Sequence, residues 1–192
     1  MNGHKIINQN APHYMTFTVV GWIDVFSIKA YKEVLIETMK FCIASKGLSL
    51  HAYVIMSNHM HVIMSAKEEH QLSDIVRDYK KYTAKSILDM IQRNKEESRS
   101  EWMIKLFKYF AKYNKNNKLY QFWQRENKPI ELSSPKWINQ KLAYIHLNPV
   151  RADIVSRAED YLYSSAKTYI GEEGQIEMEL FDIGSIEGYV DM

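Results

Sequence analysis

The 192 residues leave room for one ordinary domain, taken here to span 1–192, and 46% hydrophobic with 25% charged residues excludes disorder, collagen-like repeats and a membrane bundle. The lone cysteine, Cys42, cannot form an internal disulfide, and the first ten residues lack the apolar core of a secretory leader. A cytoplasmic chain with no membrane span is therefore expected.

The net charge of +2 conceals a division along the chain. Residues 1–76 are neutral, 77–141 carry 16 basic against 7 acidic residues for a net +9, and 142–192 carry a net −7. The basic stretch also interleaves aromatics from Tyr79 to Trp123. Cations that neutralise phosphates and rings that stack on unpaired bases suit a nucleic acid. A solvated lysine face over an aromatic core gives the same composition, so charge pattern leaves both open.

In chain order, Tyr14–Ile23 is rich in β-branched and aromatic residues and predicts a strand. Residues 27–45 repeat apolar side chains every three or four positions and stop before Gly47, which predicts an amphipathic helix. Leu48–Met56 and His59–Ser65 are two strand-like runs joined by Ser57-Asn58, a connection of hairpin length. From Gln71 to about Asn94 a second helix is expected, with Tyr79, Tyr82 and Ile87 on its apolar face and Lys80, Lys81 and Lys85 on the other.

The order strand, helix, strand, strand, helix is most of a ferredoxin-like split βαβ unit, an α+β fold. Residues 95–119 interrupt it and read as an insertion with an aromatic helix around 102–113. Tyr120–Gln124 suits a short edge strand. Ser134-Pro135 supplies an N-cap and a proline at the first helical position, opening a helix to about Leu147. Asn148 precedes Pro149, which places it at the helix end. An acidic tail runs from about 172 to 192 and could cover the basic surface.

Two motifs carry chemistry. In His59-Met60-His61 on a strand, both imidazoles point to one face and can converge on a metal, although two histidines with no ligand fit the pattern as well. On the helix after Pro135, Tyr144 and Asn148 are one turn apart on one face, with Lys141 one turn earlier. That spacing equally suits a half-buried tyrosine and an asparagine C-cap.

The blocks HAYVIMSNHMHVIMS, YQFWQRENKPIEL and KLAYIHLNPVRADIV, in this order, resemble the signatures of the REP-associated branch of single-tyrosine HUH transposases, over roughly 14–163. The resemblance implies a ferredoxin-like HUH domain, a central antiparallel sheet with helices packed on it. It implies His59 and His61 as metal ligands completed by Asn148, Tyr144 as nucleophile, and Mg or Mn as cofactor. The implied activity is cutting and rejoining of single-stranded DNA at hairpin-bearing sites through a 5′-phosphotyrosine, by a monomer or homodimer at the bacterial nucleoid. Lys80, Lys81, Lys85, Arg125, Lys128, Lys141 and Arg151 would guide the DNA backbone, and Trp123 could stack on an extruded base. Ser57 stands where proline is common, and Asp153 where glycine often follows the alanine. Two other readings compete. One is a catalytically idle, domesticated hairpin-binding protein; the other is a zinc hydrolase, which lacks HExxH and a carboxylate base beside the histidines.

Overall fold

The computed structural model describes residues 5–94, 97–113 and 119–182. The polar run 114–118 and the end of the acidic tail, 183–192, fall outside the described residues.

A four-stranded antiparallel sheet forms from β1 (His13–Thr18), β2 (Leu48–Ile55), β3 (His59–Ala66) and β4 (Ile130–Glu131). Its order, β2-β3-β1-β4, is the ferredoxin-like arrangement that the chain order suggested. Helices α1 (Lys29–Ser45) and α2 (Leu72–Arg93) are followed by α3 (Ser100–Lys112), α4 (Pro135–Arg151) and the short α5 (Ala166–Tyr169). The turn between β2 and β3 is the expected one, closed by a hydrogen bond from Met56 N to His59 O.

Alternation along the strands divides the core between two faces. Met60 faces α2, where its sulfur accepts the Tyr79 hydroxyl, and Phe17 packs beside the same ring. Residues one position away, His59 and His61 on β3 and Tyr14 and Thr16 on β1, therefore face the opposite side, where α4 lies. Register matters here: Thr16 stands directly across from His61.

Several expectations change. The first strand ends at Thr18 rather than Ile23, because Gly21 and Trp22 adopt left-handed backbone (φ 63° and 55°) and turn the chain. Gly21 also lies against the Phe110 ring of α3, which a Cβ would meet at 2.7 Å, so the glycine permits α3 to dock there. The named edge strand lies at Ile130–Glu131, whereas residues 122–124 contribute only a bridge from Trp123 to Val19 with flanking bonds to Thr18 and Val20. Tyr82 is exposed, and the buried ridge of α2 runs through Tyr79 and Thr83.

α4 continues through Pro149 to Arg151, so Asn148 is an internal residue of the last turns and not the helix end. The proline forgoes one backbone bond, and the helix closes beyond it through Ala152 N to Asn148 O and Ile154 N to Pro149 O. Ser134 caps the N-terminus as expected, its hydroxyl accepting from Trp137 N. The described part of the acidic tail lies along β2, at the far edge of the sheet from β4. Glu179 N donates to Leu50 O, and Phe181 stacks on His51.

Candidate active site

His59 and His61 sit side by side on β3, their ring centroids 4.8 Å apart. Helix α4 brings the Tyr144 ring edge-on to His61 at 5.1 Å, with Tyr144 39% exposed. Residues far apart in chain order thus meet because α4 crosses the histidine face of the sheet. Asn148 follows one helical turn after Tyr144, and its amide nitrogen donates to the Tyr144 carbonyl, so that bond leaves the acceptor oxygen Oδ1 unused.

Each histidine has one ring nitrogen already engaged. His61 Nδ1 lies 2.8 Å from Tyr14 Oη and 2.9 Å from Thr16 Oγ1, and His59 Nδ1 lies 2.7 Å from Asn58 Oδ1. His61 Nε2 is buried with no hydrogen-bond partner among the described residues. A buried, unpaired ring nitrogen is costly unless something coordinates it. Burial, reinforced by neighbouring His59 and Lys141, drives the His61 pKa down to about 3, and burial lowers that of His59. Both rings are consequently neutral at physiological pH, the state a metal needs. The residues fit a divalent ion. Among the described residues no cluster of three His, Cys, Asp or Glu side chains forms.

Two cations border the tyrosine. Lys141 Nζ lies 4.6 Å from the Tyr14 ring centroid and 5.8 Å from that of Tyr144, and the Arg151 guanidinium lies 5.8 Å from Tyr144.

The remaining basic residues lie elsewhere. Lys80, Lys81, Lys85, Arg125 and Trp123 line one groove of about 560 Å3 between α2 and the segment 119–125. α2 packs on the sheet face opposite His61, so groove and histidines are separated by the sheet edge that Gln124 and Asn127 pair with. Lys128 is exposed on that edge segment.

Two expected DNA contacts need correction. Lys80 turns inward: its ammonium donates to Gln124 O at 2.9 Å and to Asn127 Oδ1, over the Phe17 ring, and burial pulls its pKa down to about 8. It ties α2 to the edge segment. Trp123 is 6% exposed, packed against Phe17, Phe26 and Phe122 with its indole N–H on Thr83 Oγ1, so its faces are taken by the core.

Residues 23–119 match the model of the family described as "Transposase IS200 like". The chain belongs to the IS200-like transposase family. The matched span holds the histidine pair but ends before the Tyr144 helix. Fold similarity extends further: the structure of a REP-associated tyrosine transposase bound to a REP hairpin aligns with TM-score 0.63 over 96% of this chain and 94% of that one, at 15% identity. A Deinococcus radiodurans R1 crystal structure assigned as a transposase aligns at TM-score 0.41 and 14% identity, over 76% of this chain and 98% of that one. No curated protein matches significantly. Family and fold thus bear out the resemblance read in the sequence, and among the described residues no helix is long and apolar enough to cross a membrane.

Sequence reasoning missed the residues that hold this transposase's histidines. Tyr14, Thr16 and Asn58 are ordinary in composition, and only the β1–β3 register and the hairpin turn show what they touch. The period-two run Tyr14-Thr16-Thr18 was the available signal.

Proposed function

We propose that the chain cuts and rejoins single-stranded DNA at hairpin-bearing sites, with Tyr144 as nucleophile and His59, His61 and Asn148 holding a divalent ion, Mg or Mn. The observation that carries this reading is the edge-on approach of Tyr144 to His61, whose Nε2 is buried and unpaired among the described residues. Hairpin recognition is supported by the shared fold with a protein solved on a REP hairpin.

The donor set favours a phosphodiester. Two neutral imidazoles and an amide add no negative charge, so a bound divalent ion keeps its full charge for an anionic substrate. When bound, the ion polarises the scissile phosphate and orients it for in-line displacement. Lys141 and Arg151 add positive charge around Tyr144, where the nonbridging oxygens gather. Tyr144 Oη forms the bond to phosphorus as the bond to the 3′-oxygen breaks, and the tyrosine proton is balanced by protonation of the departing 3′-hydroxyl. One phosphoester replaces another, so the reverse attack by a 3′-hydroxyl rejoins strands without an external energy source. Lys81, Lys85 and Arg125 in the α2 groove, with Lys128 on the edge, would track the backbone leading to this site.

Hairpin-bearing oligonucleotides tested for cleavage in Mg or Mn and in chelator give the direct check. Cleavage that needs the metal and is lost in His61→Ala is expected. Tight binding with no cleavage in either metal would instead make this an idle hairpin-binding protein.

A further inference from the structure

Helix α3 presents an outward face that the site above does not use. Its inner face buries Met103, Phe107 and Ala111, with Phe107 packed on Phe122 at 5.2 Å. At 100° per residue, Trp102, Tyr109 and Tyr113 fall within roughly 40° of one another on the outside. They are 50%, 50% and 74% exposed, aromatic rings along a face where a surface helix ordinarily carries polar groups. Lys105, Lys108 and Lys112 form a second stripe directly beside it, and the one acidic residue of α3, Glu101, is held by Lys105.

We infer that this face of α3 is a second binding site for single-stranded DNA, with bases stacking on Trp102, Tyr109 and Tyr113 while phosphates run along Lys105, Lys108 and Lys112. The pairing of a ring stripe with a cation stripe matches a single strand, whose bases and phosphates lie on opposite sides of its backbone. A duplex offers no base faces to such a stripe. The face is roughly 17 Å long at 1.5 Å per residue, room for a few nucleotides. It also continues the α2 groove: Lys108 Nζ lies 5.8 Å from the Tyr120 ring, which lines that groove and bonds Gln92 of α2. A strand leaving the groove therefore meets α3 next. Tyr109 and Tyr113 are mutually braced, rings 5.1 Å apart and hydroxyls 3.3 Å apart, so little ordering remains to be done on binding.

This inference rests on the reading that the chain handles hairpin-bearing single strands, and the test separates the two. Full-length protein is titrated by fluorescence anisotropy with a labelled hairpin, either blunt or extended by about a dozen unpaired thymidines. The triple variant Trp102→Ala, Tyr109→Ala, Tyr113→Ala should lose about tenfold or more in affinity for the extended probe and leave the blunt one unchanged. Trp102→Phe, Tyr109→Phe, Tyr113→Phe, which keeps the rings, should restore most of the loss. Equal affinity of wild type and the alanine variant for the extended probe would overturn the inference, as would an equal loss on both probes. A wild-type dimer in sedimentation that the alanine variant abolishes would overturn it too, by giving the face to a second copy of the chain. Wild type that binds neither probe would remove the underlying reading instead.

Discussion

Tyr14 Oη lies 2.8 Å from His61 Nδ1, and the two rings stack at 5.6 Å with an interplanar angle of 17°. For Nε2 to offer its lone pair to a metal, the imidazole proton must sit on Nδ1, where the Tyr14 and Thr16 oxygens both accept it. In that tautomer both hydroxyls brace the ring, and burial holds the Tyr14 phenol protonated, its pKa raised to about 12. Tyr14→Phe combined with Thr16→Val should therefore weaken Mn affinity about tenfold or more, measured by electron paramagnetic resonance without DNA. Hairpin affinity in chelator should stay unchanged. Mn affinity equal to wild type would show that the hydroxyls serve packing alone.

The inward turn of Lys80 bears on salt dependence. Replacing Lys81, Lys85 and Arg125 by glutamine should flatten the slope of log affinity against log salt, by about 0.7 for each phosphate of a single strand that is no longer neutralised. Lys80→Gln should leave that slope alone, because its ammonium is spent on Gln124 and Asn127. A slope that responds to Lys80 and not to the other three would place the DNA outside the groove.

Trp123 is expected to matter for stability. Trp123→Ala opens a cavity among Phe17, Phe26 and Phe122 and removes the indole N–H from Thr83, at a cost of about 3–5 kcal/mol in urea unfolding. A cost below about 1 kcal/mol, with weakened DNA binding, would return the indole to a stacking role.

Acid should expose a second buried imidazole. His146, inside α4 with Nε2 2.6 Å from Ser165 Oγ, has its pKa driven down to about 3 by burial. Its folded-state pKa lies below the unfolded value near 6.5, so the unfolded chain binds the extra proton and stability falls as pH drops from about 6.5 towards 3. The slope from this one group approaches about 1.4 kcal/mol per pH unit. His146→Gln should lessen the stability lost between about pH 7 and 4.5 in denaturant titrations. An unchanged loss would assign the acid sensitivity to other groups.

Much of this arrangement was legible in the residues themselves. Period-two alternation through His59-Met60-His61 and the four-residue step from Tyr144 to Asn148 are local geometry, so each pair's shared face followed directly. The hairpin at Ser57-Asn58 and the Ser134 cap are equally local. What the chain order hid was register and burial. Tyr14 and Thr16 reach His61 only because β1 pairs with β3 at Thr16, across a long stretch of intervening chain. Lys80 and Lys81 are neighbours in one lysine pair, yet one is spent inside and the other is exposed, a difference set by the return of the segment at Gln124–Asn127. Pro149 misled because its steric effect on Asn148 is a bias that tertiary packing of α4 overrides.

Tyr144 is expected to join covalently to the DNA it cuts. A hairpin-bearing oligonucleotide labelled at its 3′ end, incubated with Mn and the full-length protein, places the label on the fragment that a 5′-phosphotyrosine would retain. Wild type should carry the label through denaturing electrophoresis, with the modified peptide mapping to Tyr144, and Tyr144→Phe should bind the hairpin normally yet form no adduct and no cleaved strand. An adduct that persists in Tyr144→Phe, or cleavage at full rate without one, would contradict the account.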